Sequence, residues 1–511
     1  MNSAELTQYH MPSSYKERLD NAYFDDRSCT SRIVVHQPEV YYGADFLLRQ
    51  TGRSILVDIG SGNGKKLAEI GSTAKIKYAI DFGVNVDYFK ENYPKCKAFE
   101  LDLEKADSRQ LPKIDWNDSI VICADVIEHL RSPLGLIECL KHIYDAGGIV
   151  VLSTPDREKL HGYLHEGPPV NPAHVREWTL AELCSFFSAH GMQPAFSGYS
   201  INDNMKREKF NSIIILDKQI NKECVDLSVN PLGIVSCYND ADIIEQLSRR
   251  HLEDGIDIHF LDNWSDDGTY ELLEALREEY PERVAVERFP AEPTKEYVWR
   301  SILDRKAEIG FHFPDRWIIH IDSDELRASP WIDVSLSRGL AIAQAYKSNA
   351  IEFGVVEYPP LNDDFARPMD PTAHFSHFYF SKQPSHFLQT KAWLQGDLLV
   401  DLSSTGGHHA QFPSKSVFPY RFTLNHFPIR SSQHGLKKVL KDRKPRFSSQ
   451  EKNEMGWHTH YDMVTDGYRF ISLKEFNIEH GPDFHERYLL EIITDVILQR
   501  MQGRLIFNST G

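Results

Sequence analysis

Four aspartates early in the chain, Asp58, Asp81, Asp102 and Asp125, stand 23, 21 and 23 residues apart, and each closes a short apolar run. Gly60, Gly62 and Gly64 follow the first of them in the stretch ILVDIGSGNG. Glycines placed there let the backbone approach a ligand closely and present helix N-terminal amides to an anionic group. The dinucleotide pattern GxGxxG would need glycine at position 65, where Lys65 stands, so the spacing argues against NAD or FAD. Much later, Asp322-Ser323-Asp324 follows the apolar run 317–321. A carboxylate pair there repels itself unless a cation or solvent relieves it, and a hard divalent ion with oxygen ligands, Mn²⁺ or Mg²⁺, suits it. Asp240-Ala241-Asp242 has the same spacing but reads as the opening of a helix.

The elements that must carry these residues follow from the same spacing. A step of that length is what strand, turn, helix and return to a parallel strand require, so the region from Ser54 onward reads as a doubly wound α/β sheet with its acids at the carboxyl ends of the strands, where such sheets bind ligands. A strand over 149–153, a helix over 179–190 and a strand over 212–216 complete this first domain, residues 1–217. The polar stretch DKQINKECVDLSVN lacks either periodicity and serves as a linker, residues 218–230. A second α/β domain, residues 231–445, opens with strands expected at 232–237, 256–261, 284–288 and 317–321, alternating with helices, and becomes β-rich and loop-rich over 350–427. Residues 446–511 read as a helical extension, with 484–501 strongly amphipathic.

At 511 residues the chain is two or three domains long, which excludes a single small binding module. Lys and Arg number 57 against 74 Asp and Glu, a net charge of −17, and a field of that sign works against non-specific capture of nucleic acid or anionic membrane. No apolar run approaches the roughly 20 residues of a membrane span, and the N-terminus has no signal-type apolar core. Seven cysteines without a CxxC pair point to a reducing compartment, the cytoplasm.

Alternate glycines preceded by an acid resemble the first motif of class I S-adenosylmethionine-dependent methyltransferases, over roughly residues 35–216. The resemblance implies cofactor binding by Asp58, Gly60 and Gly62, ribose binding by Asp81 in YAID, and adenine contacts from Asp102 and Leu103 in ELDL. In CADVIEHL, Asp125 and the Glu128-His129 pair would face the cofactor and substrate side. His174 in HVREWT resembles a histidine that many small-molecule methyltransferases carry before a late helix. Chemically, methyl transfer needs an aligned acceptor and a destination for its proton, a task a neutral histidine suits, so His129 and His174 are the candidate catalytic residues.

The second half resembles the GT-A fold of family 2 glycosyltransferases over roughly residues 229–430, through LGIVSCYNDADII, IHFLDNWSDDGTYELL and WIIHIDSDE. That resemblance implies a nucleotide-sugar donor, a UDP-sugar favoured, held by Asn239, Asp262, Asp322 and Arg430, and a divalent metal on Asp322, Asp324 and His426. The basic run after His426 would neutralise the departing diphosphate. The family's carboxylate base has no convincing counterpart; Asp363-Asp364, Asp397 and Asp401 stay open, as do His408 and His409 on the acceptor side.

The expectation is therefore two Rossmann-like domains, a class I methyltransferase fold followed by a GT-A fold, with a helical tail. It describes a two-headed enzyme that methylates and glycosylates a glycan or glycolipid acceptor in polysaccharide assembly. No nucleic-acid partner is expected, and peripheral membrane contact stays open. Two competitors remain: a methyltransferase whose second domain only binds and positions a glycan, and a nucleic-acid or protein methyltransferase with an accessory domain, which the acidic charge disfavours.

Overall fold

Each apolar run that closes on an acid becomes a strand in the computed structural model, which describes residues 7–20, 37–202, 209–220, 222, 229–381, 384–480 and 484–494. The chain divides into two compact units, Met1–Glu223 with Phe484–Gly511, and Cys224–Asp483.

In the first unit the strands are β1 (Ile55–Ile59), β2 (Ile76–Asp81), β3 (Lys97–Glu100), β4 (Ser119–Ala124), β5 (Ile149–Pro155), β6 (Pro194–Ile201) and β7 (Lys209–Leu216). They form one sheet in the order β3-β2-β1-β4-β5-β7-β6. Neighbours from β3 to β5 run parallel, and β7 enters antiparallel to both β5 and β6. β1, β4 and β5 are buried along their whole length, which is why they read as continuous apolar runs without alternation. The strand order reverses between β1 and β4, so a crevice opens beyond their carboxyl ends. On one face the core gathers Val57, Ile59, Val121, Leu152, Phe186 and Phe187, each large side chain contributing about 2 kcal/mol by burial. The helix Leu180–Ala189 starts at a capping box in which Thr179 and Glu182 bond each other's backbone amides.

The helix Phe484–Ile493, expected as part of a separate extension, belongs to the first unit. It lies against β6, and Glu491 meets Lys209 of β7 at 2.6 Å. Its buried Leu489, Leu490, Ile492 and Ile493 are the amphipathic face seen in the sequence; the rest of that stretch, 495–501, lies outside the described residues. The boundary near 217 moves to 223, and most of the polar linker, residues 221 and 223–228, is likewise outside them.

In the main sheet of the second unit the strands are β8 (Leu232–Cys237), β9 (Asp257–Asp262), β10 (Val284–Arg288), β11 (Trp317–Asp322), β12 (Glu325–Ala328), β13 (Ala350–Glu357), β14 (Leu388–Leu394) and β15 (Phe422–His426). The sheet order is β10-β9-β8-β11-β14-β13-β15-β12. Its first half, β10 to β11, is parallel; the second is mixed, with β14 antiparallel to β11 and β13. β12 follows directly on Asp322-Ser323-Asp324 and pairs with β15, placing Glu325 opposite His426.

Burial keeps several histidines of this unit neutral, His251 and His434 among them. Burial holds the His251 imidazole down to about 3, and burial with Arg430 and Lys438 beside it holds His434 down to about 2. The unfolded chain protonates such groups near 6.5 while the folded chain does not, so stability falls as pH drops below about 6.5, by up to ~1.4 kcal/mol per pH unit for each histidine. Urea midpoints measured from pH 7 to pH 4.5 should decline along that slope. His251→Gln should flatten it, and an unchanged slope would refute this origin.

Candidate functional site

In the first unit the loop after β1 turns on Gly60 (φ 73), Gly62 (φ 53) and Gly64 (φ 69), all left-handed. A Cβ on Gly60 would stand 2.4 Å from Val126 Cγ2, so the close approach of the two loops needs glycine. Asp81, at the end of β2, accepts from the Gly62 amide at 2.7 Å, the Phe82 amide at 2.8 Å and Asn85 Nδ2 at 3.2 Å. These loops frame a cleft of about 560 Å³ lined by Gly60, Gly62, Asp81, Asp102, Leu103, Asp125, Glu128, His129 and His174 among others. Phe82, Leu101, Leu103 and Val126 supply apolar wall between the acids.

Asp58 is the exception among the residues expected to bind cofactor. It is fully buried and accepts from Tyr41 Oη at 2.9 Å, away from the cleft lining, because β1 is sandwiched in mid-sheet and a carboxylate there needs a buried donor. Asp125 adopts φ 53 and holds Ser153 Oγ at 2.9 Å and Asn211 Nδ2 at 2.8 Å, with Gln37 donating to its other oxygen. Gln37 in turn accepts from Lys66 at 2.8 Å.

At the far end of this cleft His129 Nδ1 bonds the Ala173 carbonyl at 2.9 Å. The His129 and His174 rings lie 4.9 Å apart. His174 Nδ1 bonds Glu177 Oε1 at 2.6 Å, and its Nε2 accepts from Asn171 Nδ2 at 2.9 Å. Burial, then the neighbouring His174, pushes the His129 imidazole below its ordinary value. Burial, then Asp125, pushes the Glu128 carboxyl well above the usual range. Glu177 and Gln37 carry no motif signal; Gln37 reaches the site through Asp125, 88 residues on, and Glu177 through His174 in the irregular segment before the helix Leu180–Ala189.

In the second unit a cleft of about 240 Å³ lies at the carboxyl end of β11, lined by Cys237, Tyr297, Trp299, Asp322, Asp324, Lys391, His408, His426, Lys438 and Arg443 among others. Asp322, Asp324 and His426, the set that the glycosyltransferase resemblance implies, lie together on this lining. Their charges are compensated from within the chain: Lys391 Nζ is 3.0 Å from Asp322 and 2.9 Å from Glu325, and Lys438 Nζ is 2.7 Å from Asp324. His426 lies 3.6 Å from Asp324 and 2.8 Å from Glu357. Burial brings Lys306, 2.9 Å from His320 Nδ1, down to about 7 beneath the same strand.

The other residues expected at the donor site are turned to structural work. Arg430 is fully buried and holds Asp242 at 2.6 Å and Asp240 at 3.3 Å, so its guanidinium is spent inside the unit and the second DxD is its counter-charge. Asn239 (φ 57) is tied to Asp266 at 2.9 Å, and Asp262 caps the following turn through the Ser265 amide at 3.2 Å. None of the three lines the cleft. Asp363 and Asp401 hold the Ser432 and Ser404 amides at 2.5 Å and 2.9 Å, and neither they nor Asp364 and Asp397 reach the lining. The basic run does face inward through Lys438 and Arg443. Lys391, Tyr297 and Trp299 arrive from segments without motif character, where only the fold brings them in.

Among the described residues no helix is long and apolar enough to cross a membrane. Residues 42–199 match the family described as a methyltransferase domain. Similar solved structures include the 1,6-didemethyltoxoflavin-N1-methyltransferase of Burkholderia thailandensis, with bound 1,6-didemethyltoxoflavin and S-adenosylhomocysteine, at 15% identity over 42% of this chain and 86% of that one, TM-score 0.28. S-adenosylmethionine-dependent methyltransferases of Clostridium acetobutylicum (11% identity, 38% and 95% of the two chains, TM-score 0.28) and Aquifex aeolicus (15%, 38% and 100%, TM-score 0.28) are similar to it as well. No curated protein matches the sequence. Between residues 42 and 199, the chain carries a methyltransferase domain.

Proposed function

We propose that the first unit transfers a methyl group from S-adenosylmethionine to an oxygen of a sugar or glycan, and that the second unit engages a nucleotide sugar. The observation that carries the first half is Asp81, set at the end of β2 beside a glycine loop whose amides line the same cleft. The residues present suit the cofactor: Asp81 for the ribose hydroxyls, Asp102 and Leu103 for the adenine edge and face, Gly60 and Gly62 for close backbone approach. S-adenosylmethionine, when bound, supplies an electrophilic methyl group. The chain's own part is to hold the acceptor in line with it and to handle the acceptor proton. His129 and His174 line the part of this cleft that we assign to the acceptor.

For the second unit, aromatic walls (Tyr297, Trp299) beside cations (Lys438, Arg443) favour a ligand with flat or hydrophobic faces and a diphosphate. The divalent ion expected on Asp322, Asp324 and His426 does not fit this donor set as it stands. Ammonium groups already sit on both acids and Glu357 holds the imidazole, so no step is routed through a metal here. That compensation, with the open acids Asp363, Asp364, Asp397 and Asp401 all away from the lining, favours a second reading in which this unit binds a glycan or nucleotide sugar and positions it for methylation.

Calorimetry of the full chain with S-adenosylhomocysteine, then with UDP-, GDP- and dTDP-sugars with and without Mn²⁺, tests both halves. A ligand at a hundredfold excess over Kd adds about 2.7 kcal/mol of stability, so a real site registers in a thermal melt as well. Binding of S-adenosylhomocysteine is expected, and its failure ends the methyl-transfer reading. Binding and turnover of one nucleotide sugar, lost in Asp322→Ala/Asp324→Ala, is the result for glycosyl transfer. Binding without turnover selects the positioning role.

A further inference from the structure

Among the described residues, one group of His, Cys, Asp and Glu side chains brings three potential ligand atoms together, and it lies at the acceptor end of the first unit's cleft. Glu128, His129 and His174 each offer an atom within 4.8 Å of the others. Glu128 is fully buried, and its Oε1 has no hydrogen-bond partner among the described residues. That oxygen lies 3.9 Å from His129 Nε2. We propose that these three residues bind a divalent first-row transition ion, with the open side of the ion facing the oxygen donors of the methyl acceptor. This inference rests on the methyl-transfer reading for its role, though not for its geometry.

The second observation is how each ligand is held from behind. Metal-binding histidines characteristically give their other ring N–H to a carbonyl or carboxylate, which fixes the tautomer and aims the remaining lone pair. Both histidines here do so, His129 through Nδ1 to the Ala173 carbonyl at 2.9 Å and His174 through Nδ1 to the Glu177 carboxylate at 2.6 Å. In a neutral ring held this way, Nε2 is the nitrogen that carries the lone pair. The His174 Nε2 lone pair, which accepts from Asn171 at 2.9 Å, is the one an ion would take. Thr154 Oγ1 donates to Glu128 Oε2 at 2.9 Å and turns Oε1 toward the imidazoles.

Two imidazoles and one carboxylate suit Mn²⁺, Co²⁺ or Zn²⁺ better than Ca²⁺ or Mg²⁺, which favour oxygen. Three protein ligands leave positions for exogenous donors, the arrangement of a working site and not a closed structural one. A hydroxyl oxygen arriving from the cleft would meet a Lewis acid on the side where the acceptor belongs.

The test uses the full chain, stripped with a chelator and titrated with Co²⁺, read by visible absorption and by calorimetry, with S-adenosylhomocysteine binding measured in parallel. One equivalent with ligand-field absorption is expected. It should vanish in Glu128→Gln and in His129→Gln, and weaken about 10- to 100-fold in Glu177→Gln, which removes only support behind a ligand. Asp322→Asn/Asp324→Asn should keep the equivalent. The proposal is overturned if wild type binds no Co²⁺, if Glu128→Gln with a native melting profile binds it undiminished, or if the equivalent is lost only with Asp322 and Asp324. S-adenosylhomocysteine binding without Co²⁺ sinks the ion site alone; Co²⁺ binding without S-adenosylhomocysteine sinks the methyl-transfer reading alone.

Discussion

Arg430→Met is expected to destabilise the second unit by about 3–5 kcal/mol, the cost of leaving the buried Asp240 and the part-buried Asp242 without their cation. Arg430 is fully buried and donates through Nε and Nη2 to Asp242, at 2.9 Å and 2.6 Å, and through Nη2 to Asp240 at 3.3 Å. Burial alone would push the Asp242 carboxyl up, and Arg430 brings it below its ordinary value instead. Arg430→Lys should recover only part of the loss, because an ammonium cannot span the fork that a planar guanidinium fills. The sign with pH follows: the pair's contribution is present above the ordinary aspartate pKa of about 3.9 and fades as pH falls through the depressed value. The gap between wild type and variant in denaturant midpoint should therefore be widest near neutrality and narrow in acid. A midpoint within experimental error of wild type at pH 7 would show that the acids find another partner.

Asp81→Ala should weaken S-adenosylhomocysteine binding by roughly 100- to 1000-fold, since a carboxylate accepting from two hydroxyls makes charged hydrogen bonds of about 1.5–3 kcal/mol. A structural loss comes with it: the Gly62 amide, 2.7 Å from Asp81, loses the acceptor that pins the glycine loop. Asp81→Asn separates the two effects, because an amide oxygen still accepts from Gly62 while the charge is gone. If titration calorimetry finds both variants binding within threefold of wild type, the cleft does not use this acid for a ribose.

The regular repeat of acids made the first sheet legible, because parallel strands buried on both faces leave uninterrupted apolar runs such as ILVDI and SIVICA. What the repeat could not reveal is which acids look inward. Asp58 and Asp81 close equivalent runs, yet Asp58 is covered by Tyr41 from the helix Pro38–Thr51, while Asp81 stands at the cleft. Side-chain direction at a strand end depends on what packs over it, which is tertiary information. The same limit governed the second unit. Asp322 and Asp324 were visible as a pair, whereas Lys391, the cation on Asp322, comes from β14, an antiparallel neighbour 69 residues later. Arg430 read as a ligand group through the glycosyltransferase resemblance; its partners Asp240 and Asp242 lie 190 and 188 residues earlier. Glu128, His129 and His174 were noticed singly or as a pair, and their convergence appears only when the loop 171–177 is folded over the end of β4.

The helix Phe484–Ile493 completes the first unit after the whole of the second has been strung in between. During synthesis, a nascent chain that has just finished β7 therefore has its seven-stranded sheet but not the apolar cover that Leu490 and Ile493 bring. The first unit must wait for some 260 further residues before its surface is sealed. Deleting the chain beyond residue 445 would not trim an appendage from the second unit: it would leave Lys209 of the first without Glu491, and expose the face of β6. A working fragment of the methyltransferase unit has to be made by excising 224–483 and joining what flanks it, not by stopping early.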